Sequence, residues 1–167
     1  AGKEDFQIRP KLYILAVGIS RYEDPALRLG LAAKDAMDFG AVWAEQKGQL
    51  YTSVETKVFT DSQATKGNIL DGLEWLQKQV TQHDLAMLFF AGHGVNDAGG
   101  AFYFLPVDSD LEKLKRTGIS QADITSTLAL IAGKVLVFMD TCHSGNLMDK
   151  VKRRGALDIS SVVNELA

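Results

Sequence analysis

Cysteine is almost missing from this chain: Cys142 is the only one among 167 residues. An internal disulfide is excluded, and a reducing, cytoplasmic setting is the expectation. An excess of basic charge is missing too. The net charge is −3, and the one basic cluster, "KVKRRG" at 150–155, is short and local. Nucleic acid wants a basic stripe, so no nucleic-acid partner is expected. Long apolar runs are also absent. The longest are of strand length, as in "LAMLFFA" at 85–91, far from the roughly 18 residues of a membrane span, so no membrane partner is expected. The opening "AGKEDFQIRP" carries no signal-peptide pattern, and residues 1–11 read as a linker. The chain has no internal repeat and no low-complexity segment. Its composition is globular, 46% hydrophobic and 23% charged, and it is long enough for one domain with its own core.

The apolar pattern alternates between two periods. "LYILAVGIS" at 12–20 is a continuous apolar run, which suits a strand buried on both faces. In 31–46, Ala32, Ala36, Phe39 and Trp43 recur at helical spacing. "VETKVFTD" at 54–61 predicts a more polar strand nearer an edge. Thr65 can cap a helix running to Gln82, with Ile69, Leu73, Leu76 and Val80 on one face. "DLAMLFFAGHG" at 84–94 predicts a strand running into a Gly-rich turn, and 96–110 a loop or small hairpin. Ser120 with Asp123 forms a capping signature ahead of Ile124, Leu128 and Ile131. "KVLVFMD" at 134–140 predicts a last strand. Such alternation means right-handed βαβ units, a mainly parallel sheet and helices on both faces.

In open parallel sheets, ligands collect at the carboxyl ends of strands. Two predicted strands end there in unusual turns: "FFAGHG" delivers His93 and "FMDTCHSG" delivers Cys142. If the two strands are neighbours, imidazole and thiol face one another across a short gap. The surrounding Gly92, Gly94, Thr141, Ser144 and Gly145 leave room for a substrate and for backbone N–H donors. A thiol with its ordinary pKa of about 8.5 is mostly protonated at neutral pH, and a nearby imidazole can take its proton and later return one to a leaving amine. Backbone N–H groups of Gly94 and Cys142 are the candidate oxyanion donors. Taken singly, Cys142 is more often a small buried apolar residue, and His93 a turn residue. Other arrangements remain open: His143 as the base, a zinc site made by His93, Cys142 and His143 without a fourth ligand, and Ser144 as nucleophile without a G-x-S-x-G elbow.

The motifs "YILAVGIS", "LGLAAKDA", "FFAGHG" and "DTCHSG", in that order, resemble the caspase-like cysteine peptidases (peptidase C14), most closely the metacaspases and their bacterial relatives. The resemblance covers 12–149, and His93 precedes Cys142 by 49 residues, against about 50 in caspases. It implies a three-layer caspase-like α/β fold. It also implies a His93–Cys142 dyad with Gly94 and Cys142 as oxyanion donors, and an S1 pocket lined by Asp35 and Asp140. Two carboxylates would favour Arg or Lys at P1 and reject Asp. The plainer readings are a solvated helix position for Asp35 and a turn acid for Asp140.

An enzyme of that kind could cut itself after Arg153 or Arg154 in the basic segment 150–167, which otherwise reads as a solvated loop. Departures from the family pattern are Ala91 where many metacaspases carry Ser, and "SQAD", with Asp123 alone, where paired acids are expected. Asp149 sits at a matching distance for calcium, but the thinned acids argue against calcium dependence, and no other cofactor is implied. The family fold adds further strands after the Cys-bearing one, so the expectation is a second chain or C-terminal segment completing the sheet, besides a peptide or protein substrate. Two other readings of the same motifs are a catalytically inactive interaction module and an acyl-transferring peptide ligase.

Overall fold

The computed structural model describes residues 9–143, with Cys142 and His143 described by backbone alone. The elements are β1 (Leu12–Gly18), α1 (Ala32–Ala44), β2 (Val54–Thr60), α2 (Lys66–Gln79), β3 (Leu85–Asn96), β4 (Phe102–Phe104), α3 (Leu114–Thr117), β5 (Ile119–Ser120), α4 (Gln121–Ala129) and β6 (Lys134–His143). Four strands run parallel in the order β2, β1, β3, β6. β4 adds antiparallel to the far end of β3, and β5 pairs antiparallel with β4.

The strand period of two sorts β1 into two cores. Leu12, Ile14 and Ala16 meet Ala36, Phe39 and Trp43 of α1, with Met87 and Phe89 of β3 alongside. Tyr13, Leu15 and Val17 meet Ile69, Leu73 and Leu76 of α2, and Ile124 and Leu128 of α4 join the same cluster. Every residue of β1 is therefore buried, which is what an uninterrupted apolar run requires of a sheet covered on both sides. Gly18 lets α1 start hard against the end of β1: a Cβ there would lie 2.2 Å from the Ala32 carbonyl oxygen and 2.6 Å from the Ala36 Cβ.

β2, the more polar strand, lies at the sheet edge as its sequence suggests. At the other edge, β6 pairs with β3 alone among the described residues. Val135, Val137 and Met139 pack against the α2–α4 core. Leu136 and Phe138, on the α1 side, stay 45% and 40% exposed, although the Phe138 ring meets Phe39 of α1 at 5.3 Å.

Several boundaries differ from the sequence reading. β3 does not turn at its glycines; it runs through Gly92, His93 and Gly94 to Asn96. β6 extends beyond Asp140 to His143. Each overrun has a partner, since β3 and β6 stay paired as far as Gly94 and His143, and β4 joins β3 from Gly94 to Asn96. α2 ends at Gln79 rather than Gln82, because Thr81 and Asp84 close a turn. The hairpin in 96–110 is real and forms β4, while β5 and α3 are too short for a periodic signal.

Asp84 ties the starts of the strands together. Its buried carboxylate accepts from the Lys11 N–H at 3.1 Å, the Thr81 N–H at 3.0 Å and the Thr81 hydroxyl at 2.7 Å. Burial alone would raise its pKa, but the bonds from Thr81 and Lys11 outweigh it and hold the carboxyl below its ordinary value of 3.8. A depressed acid stabilises the fold above its unfolded-state pKa, and that stability is lost as pH falls through the folded value. Asp84→Ala is expected to cost about 2 kcal/mol at pH 7. The gap from wild type should narrow below about pH 4, as urea unfolding at both pH values would read.

Candidate active site

The parallel pairing of β3 with β6 sets His93 opposite Cys142, Ala91 opposite Asp140 and Gly92 opposite Thr141. Paired residues on adjoining strands share one face of the sheet and sit about 4.8 Å apart in the hydrogen-bonding direction. His93 and Cys142 thus occupy neighbouring positions on one face. His143 pairs with Gly94 and, one residue on from Cys142, falls on the opposite face.

His93 is buried, 6% exposed, and held from two directions. Its ring Nε2 lies 2.8 Å from the Leu27 carbonyl oxygen, contributed by a short 3-10 turn at Pro25–Leu27. A carbonyl can only accept, so Nε2 carries the proton, and Nδ1 is the basic nitrogen of the neutral ring. The turn is built locally: the Asp24 carboxylate accepts from the Ala26 N–H at 2.9 Å, and Pro25 opens the turn with φ already set. The His93 N–H donates to the Tyr22 hydroxyl at 3.0 Å, and that hydroxyl donates to the Leu105 carbonyl at 3.0 Å. The Leu105 N–H in turn donates to the His93 carbonyl at 2.9 Å. The Tyr22 and His93 rings are 5.1 Å apart.

Gly94, the candidate oxyanion donor, follows His93 on β3. A Cβ there would come within 2.4 Å of the Phe102 ring, so β4 packing requires the glycine whatever its N–H does.

Asp35 and Asp140 come together. They line one cavity of about 360 Å³ with Asp38, Phe39, Val42, Trp43 and Phe89. Phe39 stacks on Phe89 at 4.7 Å, giving the cavity an aromatic wall beside its carboxylates. Asp38 forms an ion pair with Lys34. Ala91, next to Asp140 in register, is buried without a hydroxyl to offer. Such a cavity can take a long side chain with a cationic tip, its stem on the rings and its charge on the carboxylates.

Among the described residues no group of three or more His, Cys, Asp or Glu side chains converges, and Asp123 accepts from the Ser120 N–H in a capping box at the start of α4. Ser144, Gly145, Asp149, Arg153 and Arg154 lie outside the described residues. No helix among the described residues is long and apolar enough to cross a membrane.

Sequence reasoning missed Tyr22, Leu27, Asp38 and the aromatic wall. Of these, only the turn carrying Leu27 had a usable signal, the Asp-Pro pair at 24–25.

The fold is thus a mainly parallel α/β sheet flanked by helices, with His93 and Cys142 at paired positions on adjoining strands. A family model for the caspase domain matches residues 12–164, and the chain belongs to the caspase-domain family. No curated protein matches it. Among solved structures it is similar to protein GSU0716 from Geobacter sulfurreducens, with a TM-score of 0.65 and 23% identity over 85% of this chain and 54% of that one. That likeness speaks for the α/β fold alone, and the chain spans about half the length of that protein.

Proposed function

We propose that this caspase domain is a cysteine endopeptidase of the metacaspase type that cuts after Arg or Lys. The observation that carries the reading is the register pairing of His93 with Cys142, with the imidazole held through Nε2 by the Leu27 carbonyl. In the proposed reaction His93 Nδ1 takes the thiol proton of Cys142. The thiolate attacks the scissile carbonyl carbon, forming a C–S bond and pushing the carbonyl pair onto oxygen. N–H groups of Gly94 and Cys142 are the proposed donors to that oxyanion, which requires them to leave the β3–β6 ladder when substrate binds. Collapse breaks the C–N bond, and the imidazolium protonates the leaving amine. Water, deprotonated by His93, then attacks the acyl carbon, the C–S bond breaks, and the departing thiolate takes the proton back from the imidazolium.

The cavity holding Asp35 and Asp140 supports a basic P1 residue. The partly exposed Leu136 and Phe138 on an edge strand support a further chain segment, or a second chain, completing the sheet beside β6. The test is hydrolysis of short fluorogenic peptides carrying Arg, Lys or Asp at P1. Preferential cleavage after Arg and Lys is expected. Preference for Asp would remove the acidic-pocket assignment and leave the dyad standing.

Self-cleavage is a consequence of the same specificity, because Arg153 and Arg154 lie a short way past Cys142 in the sequence. Intact-mass analysis of the active protein is expected to show fragments ending at Arg153 or Arg154 that are missing from Cys142→Ala protein. If they never form in the active sample, the segment is not a substrate.

A further inference from the structure

We propose that Tyr22 is a positioning residue that fixes His93 for catalysis by occupying a gap in the sheet. The inference rests on the proposed His93–Cys142 dyad and goes one residue beyond it.

On one side of β3, pairing with β1 ends at Gly18 opposite Ala91, and its last backbone bond runs from the Ile19 N–H to the Ala91 carbonyl at 3.0 Å. On the same side, β4 begins at Phe104 opposite Gly94. The N–H of His93 falls between the two strands. A buried N–H without an acceptor is costly and leaves the chain free to shift. The Tyr22 hydroxyl fills that interval, accepting from the His93 N–H and donating its own hydrogen bond to the Leu105 carbonyl on the far side of the break. One phenol thereby joins the end of the β1 ladder to the start of the β4 ladder at the residue that bears the imidazole.

Three further observations mark this as a built arrangement. Tyr22 is 3% exposed, so its hydroxyl is not a surface group that happens to reach inward. Gly92 makes room for it: a Cβ there would lie 2.8 Å from the Tyr22 hydroxyl and 3.0 Å from the Phe104 ring. The β1–α1 connection that carries Tyr22 also carries Leu27, so one segment grips both the backbone and the ring of His93. That segment is itself anchored. Asp61, in a left-handed conformation at φ 47°, accepts from the N–H groups of Ser20 and Arg21 at 2.8 and 2.9 Å. Ser20 accepts from the Leu29 N–H through its carbonyl and from the Ala33 N–H through its hydroxyl, both at 2.9 Å.

Misplacing a catalytic group by about 1 Å costs on the order of 100-fold in rate. Tyr22→Phe keeps the ring against His93 and removes both hydrogen bonds. It is expected to lower kcat on a P1-Arg peptide about 10- to 100-fold per folded molecule, with KM changed less than about threefold. The same loss should appear in the rate of Cys142 alkylation. In the His93→Ala background Tyr22→Phe should cause no further loss, because the tyrosine acts through the histidine. Nitrogen shifts of His93 should report a single Nε2–H tautomer in wild type and a mixture in Tyr22→Phe. Gly92→Ala, which crowds the same hydroxyl with the tyrosine intact, should move kcat in the same direction and guards against a variant that fails to fold. Tyr51→Phe, in the opposite core cluster, should leave kcat unchanged.

A lower melting temperature with kcat, alkylation rate and tautomer all unchanged would make Tyr22 a stabilising residue only and overturn the proposal while the dyad stands. If His93→Ala leaves alkylation and cleavage as in wild type, the dyad itself fails, and the positioning role falls with it.

Discussion

Cys142→Ala protein is expected to cleave P1-Arg peptides at least about 1000-fold more slowly than wild type, and His93→Ala to fall by a similar factor. The two losses should not add. A nucleophile and its base act as one unit, so if Cys142 and His93 have the proposed roles, the double variant should match the worse single one. The residual rate is the contribution of substrate binding and the oxyanion donors. The physical basis is the shared register position of His93 and Cys142 on adjoining parallel strands, which fixes their separation through backbone pairing rather than through a mobile loop. Steady-state rates on a P1-Arg peptide, with folding verified by circular dichroism, measure this directly. Full activity in Cys142→Ala would end the proteolytic account. A large residual activity in His93→Ala would move the base elsewhere, although His143 falls on the opposite face of the sheet.

The second large effect concerns specificity. Asp140→Asn and Asp35→Asn each keep the shape of the cavity and remove one negative charge. A hydrogen bond to a charged partner contributes about 1.5–3 kcal/mol, so each change is expected to lower kcat/KM for P1 Arg about 10- to 100-fold. A peptide with citrulline at P1, similar in shape and uncharged, should be affected far less. Asp38 shares the cavity but already neutralises Lys34, so Asp38→Asn should do less than either. The apolar wall gives a separate reading: Phe39→Ala removes the ring that stacks on Phe89 and should weaken P1 Arg and P1 citrulline alike. Equal loss on both peptides in Asp140→Asn would mean the carboxylate shapes the site without reading charge.

The strands and the main helices were legible because their residues obey one period each. β1 buries all seven of its residues and so carries no charged side chain, and Thr65 caps α2 as its residue type suggests. That the His-bearing and Cys-bearing strands are neighbours was only a condition of the sequence reading, because alternation of elements does not fix strand order; the β3–β6 register supplies it. The form of the site was less legible. Gly92 and Gly94 resemble turn formers in sequence, yet they sit inside β3, where strand pairing carries them and Tyr22, Phe104 and Phe102 occupy the space a side chain would need. That is a tertiary cause with no local signature. Leu27 acts through its carbonyl, and a backbone acceptor has no residue identity to read. Tyr22 is one aromatic among many until the break between β1 and β4 gives its hydroxyl a purpose.

The Leu27 contact has an evolutionary consequence. Since a main-chain oxygen holds the imidazole, no single side-chain replacement at that position can delete the acceptor. A change of chain length between Tyr22 and Leu27, by contrast, would throw both grips on the histidine out of step at once. Variation among homologues in this stretch should therefore accumulate as substitutions, with insertions and deletions purged.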